Sequence, residues 1–262
     1  TSNPVVRKLT FTGSTPIGKM LVEQCAATMK KTSMELGGNA PFIVFDDADI
    51  DAAVQGALIS KYRNAGQTCV CSNRLFVQDG IYDAFVEKLV AATAAFTVGN
   101  GMGEDVDIGP LVNAKAVKDV HELVQSSVNA GAKVALGGGG HAMGDCFYQP
   151  TVLTDVSSDM AVFRNEIFGP VAPVIRFSTE QEAIAMANDT EFGLASYFYT
   201  RDIGRVWRVA EALEYGINEG IISNEMAPFG GIKESGSGRE GSKYGMDDYL
   251  EIKYMLMGGL DK

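Results

Sequence analysis

Two patterns of apolar residues alternate along this chain, one typical of buried strands and the other typical of amphipathic helices. Residues 41–45 form a continuous apolar run, which favours a parallel strand buried on both faces. Further on, Ile81, Phe85 and Leu89 recur at helical spacing within residues 81–96. Because the two patterns follow each other repeatedly, we expect an α/β fold in which helices pack on a parallel sheet.

The predicted elements cover most of the chain. Strands are predicted over residues 5–12, 41–45, 74–78, 132–136, 171–177, 194–199 and 250–257. Helices are predicted over residues 15–29, from an Asp-rich cap at 46–51 to residue 61, and over 81–96, 114–130, 180–188 and 201–214. Thr15 is the expected N-cap of the first helix, with Pro16 in its first turn. The final strand would leave an unpaired edge, so we expect it to pair with another subunit.

Composition excludes several classes of function. The 262 residues are 46% hydrophobic and 21% charged, and the net charge of −11 disfavours nucleic acid or an anionic membrane as a partner. No apolar run approaches the roughly 20 residues that a membrane span needs, and the first residues lack a signal-peptide pattern. We therefore expect a cytoplasmic protein. With 4 Cys and 2 His, we predict neither a disulfide framework nor a metal site.

A single thiol in a Gly-containing turn is the first candidate for chemistry. Cys69 lies in the peptide Asn-Ala-Gly-Gln-Thr-Cys-Val, where a turn would leave it accessible and lower its pKa. The alternative is an inert cysteine that only packs. Three further peptides accompany it: Met-Glu-Leu-Gly-Gly at 34–38, Phe-Thr-Gly-Ser at 11–14 and Glu-Ile-Phe-Gly-Pro at 166–170.

In this order and spacing, the four peptides resemble the aldehyde dehydrogenase superfamily. The likeness is greatest to the succinate-semialdehyde dehydrogenase type, in residues 33–38, 61–73 and 238–245. Members of that family are nearly twice as long, so the chain resembles their C-terminal, catalytic half. The resemblance implies three parts: a remnant of the Rossmann-like cofactor domain at 1–34, the catalytic domain at 35–222, and a return to the cofactor domain with an oligomerisation strand at 223–262.

The resemblance also assigns catalytic roles. Cys69 matches the nucleophile that forms a thiohemiacetal and then a thioester, and Glu35 matches the general base that activates water. A carboxyl flanked by Met34 and Leu36 can have a raised pKa, although a strand-end glutamate facing water remains the alternative. One oxyanion donor would be the N–H of Cys69, and the family's second donor has no matching position in this chain.

A nicotinamide cofactor, NAD or NADP, is implied by the same likeness. The matching positions are Thr12, Gly13, Ser14, Gly18, Leu36, Gly37, Glu166 and Phe168. Residues 11–18 join a strand to a helix, whose free N–H groups could receive a pyrophosphate, although a plain tight turn is the alternative. Four consecutive glycines at 137–140 also invite a phosphate interpretation, which we discount because no helix start follows them. Near Glu166, the chain has Asn165 where the family usually has an acid.

Substrate and regulatory positions follow from the succinate-semialdehyde type. Arg63 and Ser223 match its contacts to the substrate carboxylate, and a helical segment after Arg63 would turn it toward the pocket of Cys69. A structural arginine is the alternative. Cys71 matches the partner of the nucleophile in a redox-switch disulfide, a bridge that would be strained over so short a separation.

The expected activity is oxidation of succinate semialdehyde or a similar small aldehyde to its acid by a homo-oligomer, either a dimer or a tetramer. We expect this activity to be weak or absent in a chain with only half of the family's length. Residues 214–220 are also shorter than the family pattern, and Ser237 replaces a usual apolar residue. Two alternatives stay open: a non-catalytic assembly module, and residual thiol-dependent esterase activity.

Overall fold

The computed structural model describes residues 1–218 and 225–257. Over these residues the strands are β1 Lys8–Thr12, β2 Lys31–Glu35, β3 Ala40–Val44, β4 Ser72–Gln78, β5 Lys133–Leu136, β6 Thr151–Thr154, β7 Val171–Phe177, β8 Phe192–Gly193, β9 Ala195–Tyr199, β10 Ile217–Asn218, β11 Ile232–Lys233 and β12 Gly236–Ser237. The α-helices are α1 Thr15–Ala26, α2 Ile50–Tyr62, α3 Tyr82–Ala94, α4 Ala114–Asn129, α5 Ala161–Arg164, α6 Glu180–Asn188 and α7 Ile203–Ala212. Short 3-10 helices are Arg63–Gly66, Asp79–Ile81 and Lys243–Tyr249.

The main sheet holds the hydrophobic core. In the described part of the chain it has seven strands in the order β10-β9-β3-β4-β7-β6-β5, and all neighbours are parallel except β5 and β6. Every residue of β3 is buried, because helices cover both faces of a parallel sheet. The predicted α/β fold with a parallel sheet is confirmed.

A smaller sheet stands beside the main one and leads into it. Strands β1 and β2 are parallel, and β12 pairs antiparallel with the other side of β2. The chain leaves β2 at Glu35 and enters β3 at Ala40. The four residues between them therefore cross from one sheet to the other, and the candidate site forms at this crossing.

Buried polar side chains fix the crossing in place. Arg74 of β4 is fully buried and donates two hydrogen bonds to the carbonyl oxygen of Asn39, at 2.8 and 3.2 Å. It also donates to the carbonyl oxygens of Met186 and Ala187 and to the hydroxyl of Tyr215. A buried guanidinium is stable only when such acceptors surround it, so Arg74 ties α6 to the crossing.

Most predicted elements form within a few residues of their expected bounds, with three differences. The N-cap of α1 is Ser14, and Thr15 is already helical. Strands β2, β6, β8, β10, β11 and β12 and the short helix α5 had no prediction, and the polar β2 forms by pairing with β1. The predicted strand at 250–257 is not formed in the single chain, where the segment is exposed and irregular and no strand of the described residues lies beside it; its pairing with another subunit stays a prediction. Over the same residues, no helix has both the length and the hydropathy to cross a membrane.

Candidate active site

The turn that carries Cys69 joins α2 to β4. Helix α2 ends at Tyr62 because Arg63 leaves the helical region, with ψ of 134°, and Asn64 and Ala65 then adopt left-handed backbone conformations, with φ of 54° and 55°. Gly66 follows with φ of 76°, and a Cβ at this position would lie 2.2 Å from the carbonyl oxygen of Gly169. Only glycine fits such a close approach. The helical connection considered for this segment does not form, and Cys69 lies half-buried in an irregular turn.

Glu35 lies at the end of β2 with its carboxyl buried. The residue is 6% exposed, and its Oε2 atom has no hydrogen-bond partner among the described residues. Burial first, and then the Glu240 carboxylate, raise the pKa of Glu35 to about 8, while Arg239 opposes them. Strand β12 pairs with β2 through Gly236, opposite Glu35. With a pKa of about 8, the Glu35 carboxyl titrates in the range that general-base catalysis requires.

The thiol of Cys69 has a raised pKa, which corrects the lowered pKa expected from the sequence. Burial is the main cause, and the carboxylates of Glu166 and Glu35 add to it. Backbone N–H groups of the turn oppose the shift but do not overcome it. The expectation failed because it considered only the turn, whereas folding brings two acidic residues to the thiol from distant parts of the chain.

Hydrogen bonds hold the Glu166 carboxylate and the backbone on both sides of Glu166. The Asn73 side chain accepts a hydrogen bond from the N–H of Ile167 at 3.1 Å and donates one to the carbonyl oxygen of Asn165 at 2.9 Å. The Glu166 carboxylate accepts a hydrogen bond from the N–H of Gly38 at 3.1 Å. Burial raises the pKa of Glu166 to about 7, although the Gly38 N–H and the buried Lys61 lower it. These contacts aim the carboxyl into the pocket.

One cavity of about 640 Å³ brings most predicted site residues together, which is a typical size for a ligand pocket. The predicted residues that line it are Thr12, Gly13, Ser14, Glu35, Leu36, Gly37, Arg63, Cys69, Glu166 and Phe168. The Phe168 side chain is 43% exposed there. Four lining residues had no predicted role: Gln67, Thr68, Val70 and Phe229. The first three adjoin Cys69 in sequence, and Phe229 stands between Pro228 and two glycines, which is a composition typical of a loop.

Three predicted residues lie elsewhere. Gly18 faces Leu36 from α1, and a Cβ there would come within 2.4 Å of the Leu36 side chain, so Gly18 lets the helix pack beneath the pocket. The Cys71 side chain is buried and donates a hydrogen bond to the carbonyl oxygen of Lys61 at 3.1 Å. Cys69 and Cys71 are both free thiols in this structure. Ser223 lies outside the described residues.

Arg63 lines the pocket at the beginning of the turn. Its side chain is exposed, and it makes no hydrogen bond or ion pair with any residue in the described part of the chain. The guanidinium is therefore available to a ligand in the same cavity as Cys69. A structural arginine, the alternative considered from the sequence, would need a protein partner that the described residues do not provide.

A second cavity, of about 510 Å³, lies between α4 and residues 140–147. Its lining includes both His121 and His141 but none of the predicted site residues. Among the described residues, no group of three or more His, Cys, Asp or Glu is placed to hold a metal ion.

Comparison with known proteins decides the family. A model of the aldehyde dehydrogenase family matches residues 1–255. The chain belongs to the aldehyde dehydrogenase family. The resemblance inferred from the four peptides is thus confirmed, and the pocket described above is that of an aldehyde dehydrogenase chain.

Its relatives include aldehyde dehydrogenases for semialdehydes. The chain is 66% identical over 263 residues to the glutarate-semialdehyde dehydrogenase of Pseudomonas aeruginosa. The matched region covers 99% of this chain and 54% of the relative. It is 63% identical over 261 residues to the NADP(+) succinate-semialdehyde dehydrogenase GabD of Escherichia coli, covering 98% and 54%. The crystal structure of an NADP-dependent enzyme of E. coli matches with a TM-score of 0.96 at 63% identity, over 97% of this chain and 53% of that one. The chain spans about half the length of these relatives.

Proposed function

We propose that this chain oxidises a small semialdehyde with a terminal carboxylate, such as succinate semialdehyde, to the acid with NAD or NADP. Cys69 is the nucleophile, Glu35 is the general base, and Arg63 binds the substrate carboxylate. One observation carries the proposal: a single cavity places a thiol, a carboxyl with a pKa of about 8 and a guanidinium that has no partner among the described residues around the same space. The names of the semialdehyde relatives support the substrate class.

Cys69 and Glu35 divide the covalent chemistry between them. The Cys69 sulfur adds to the aldehyde carbon, and its proton leaves to solvent or to a carboxyl of the pocket. After hydride loss the acyl group is a thioester, and Glu35 removes a proton from the water that attacks it. The acid and the free thiol are then released. The N–H of Cys69 donates to no backbone carbonyl in the described part of the chain and lies beside its own thiol, so it can bind the carbonyl oxygen as charge develops.

The pocket has the features that a nicotinamide nucleotide requires, and the bound cofactor would supply the hydride acceptor. Thr12, Gly13 and Ser14 precede α1, whose N-terminal N–H groups receive no side-chain cap from Ser14. Such a helix start binds phosphate. A further cavity of about 440 Å³ is lined by Leu36 as well, and by Gly18 of the predicted cofactor loop. We assign Glu166 to the ribose and Phe168 to the nicotinamide ring.

Substrate selection rests on Arg63. A guanidinium binds a carboxylate through two parallel hydrogen bonds, which an uncharged aldehyde cannot make. We propose Ser223 as a second contact to the same carboxylate.

The test compares oxidation with ester hydrolysis. Reduced nicotinamide is followed by absorbance with succinate semialdehyde and with butanal, and p-nitrophenyl acetate hydrolysis is followed without cofactor. We expect oxidation to favour succinate semialdehyde, and Cys69→Ala to abolish both reactions while Cys146→Ala leaves both intact. A polypeptide of residues 1–262 alone has half the relatives' length, so we expect its oxidation to be slow and its ester hydrolysis to persist.

Two results would refute the proposal. If Cys69→Ala hydrolyses the ester at the wild-type rate, Cys69 is not the nucleophile. If Cys69-dependent hydrolysis occurs but oxidation is as fast with butanal as with succinate semialdehyde, the assigned substrate class is wrong. Absence of both reactions in the wild-type chain would instead favour the non-catalytic module considered from the sequence.

We also propose a homo-oligomer in which the exposed segment 250–257 pairs with a second copy of the chain. Ile252, Tyr254 and Leu256 are exposed and alternate, which is the pattern of one strand face. Ile252→Asp should reduce the mass measured by light scattering, whereas the neighbouring Lys253→Asp should not. Equal masses for the wild type and Ile252→Asp would contradict this pairing.

A further inference from the structure

Three consecutive left-handed residues precede Cys69 and need to be held in place. Asn64, Ala65 and Gly66 all have positive φ, at 54°, 55° and 76°. Asn and Gly tolerate this region, whereas Ala is disfavoured there because its Cβ crowds the carbonyl oxygen. A chain released from its contacts would leave this conformation, so the position of Cys69 depends on what keeps the turn closed.

Two side-chain amides close the turn reciprocally. The Asn64 Nδ2 donates to the carbonyl oxygen of Gln67 at 3.0 Å, and the Gln67 Nε2 donates to the carbonyl oxygen of Asn64 at 3.0 Å. The Gln67 N–H donates to the same Asn64 oxygen at 3.1 Å. Each side chain thus replaces a partner that a helix or strand would supply to the backbone.

The Gln67 amide also reaches a second segment. Its Nε2 donates to the carbonyl oxygen of Pro110 at 3.3 Å, and its Oε1 accepts a hydrogen bond from the N–H of Val112 at 2.8 Å. Gln67 therefore satisfies polar groups of two backbone segments at once, and it lines the pocket two residues before Cys69. The segment at 110–112 is the support against which the turn is held.

We propose that Gln67 is a positioning residue for the nucleophile, whose amide fastens the left-handed turn to residues 110–112 and thereby fixes the Cys69 sulfur in the pocket. Gln67 affects turnover only if Cys69 reacts, so this role rests on the proposed function. This role needs both the NH₂ group and the carbonyl oxygen of the Gln67 amide, because the two face different backbone groups.

The matched variants are Gln67→Ala, Gln67→Glu and Gln78→Ala. Gln67→Glu keeps an acceptor for Val112 but loses both donated hydrogen bonds. Gln78 is the control, because its Oε1 accepts from the N–H of Asp46 at 2.9 Å and its Nε2 donates to the carbonyl oxygen of Ser178 at 3.0 Å. It joins two backbone segments in the same way, but it does not line the pocket.

If Gln67 positions Cys69, the Gln67 variants should show a lower rate of ester hydrolysis and faster labelling of the Cys69 thiol. Displacing a nucleophile by about 1 Å lowers rates by on the order of a hundredfold, so Cys69-dependent ester hydrolysis should fall roughly 10- to 100-fold in kcat in both Gln67 variants, with KM little changed. Iodoacetamide labelling of Cys69, measured by peptide mass spectrometry, should become several-fold faster, because the loosened turn exposes a thiol that is half-buried in the wild type. Cys25 and Cys146 should label at the wild-type rate, and Gln78→Ala should change neither readout.

The inference is overturned if the Gln67 variants keep the wild-type kcat, or if Cys25 and Cys146 are labelled faster together with Cys69, which would show general destabilisation. Thermal unfolding of all three variants separates these cases. Labelling needs neither substrate nor cofactor, so it still reports on the turn if the protein proves to lack the proposed activity. A wild type without turnover but with selective Cys69 exposure in Gln67→Ala would refute the proposed function and keep the structural role of Gln67.

Discussion

Replacing Glu35 by Gln should make the protein more stable at alkaline pH while it slows catalysis. The Glu35 carboxyl has a pKa of about 8 in the folded protein and about 4.5 as its ordinary value. Below about pH 4.5 it is protonated whether the chain is folded or not. Between these two values only the unfolded chain ionises, so stability is lost as the pH rises through this window and is lowest above about pH 8.

The magnitude follows from the two pKa values. Their difference, at about 1.4 kcal/mol per pH unit, gives roughly 5 kcal/mol as a ceiling. The carboxyl borders an open pocket, and solvent there reduces the penalty, so about 2–3 kcal/mol is expected. Gln has the same shape and never ionises. Glu35→Gln should therefore match the wild type near pH 4.5 and exceed it by this amount at about pH 9, a rise in Tm of roughly 4–10 °C for a chain of this size.

The assay is thermal and urea unfolding of the wild type, Glu35→Gln and Glu23→Gln at several pH values. Glu23 is exposed on α1 and controls for the loss of one negative charge. With p-nitrophenyl acetate, Glu35→Gln should still release the first equivalent of p-nitrophenol but hydrolyse the acyl enzyme about 10²- to 10⁴-fold more slowly. A stability difference between Glu35→Gln and the wild type that does not change with pH would refute the reasoning, because it would mean that burial does not raise the pKa of Glu35.

Three further predictions concern the substrate contact and the scaffold. Arg63→Gln should raise the KM for succinate semialdehyde about 10- to 100-fold and leave that for butanal unchanged, measured by steady-state kinetics; equal effects on both would contradict carboxylate binding. Gly66→Ala should lower the free energy of unfolding in urea by about 2–4 kcal/mol, because its Cβ would strike the Gly169 carbonyl at positive φ; Gly101→Ala, where a Cβ meets nothing, is the control. Arg74→Met should cost about 3–5 kcal/mol in the same assay, since it leaves several buried carbonyl oxygens without donors; a loss below about 1 kcal/mol would contradict this account.

The sequence by itself determined the fold class and most of the main sheet. A run such as residues 41–45 is apolar at every position, and only a strand covered on both faces buries such a run fully, so β3 could be predicted without its neighbours. The peptides around Cys69, Glu35 and Glu166 also predicted residues that line the pocket, through their resemblance in order and spacing to the aldehyde dehydrogenase family.

Tertiary structure decided whatever depends on partners distant in sequence. β2 is polar and becomes a strand only by pairing with β1 and β12, while the apolar segment at 250–257 has no such neighbour in the part of the chain that the structure describes and stays irregular there. The same reason governs the chemistry. A turn alone lowers the pKa of a thiol, but folding surrounds Cys69 with two carboxyls and raises it, because electrostatic interactions depend on distance in space and not on distance along the chain.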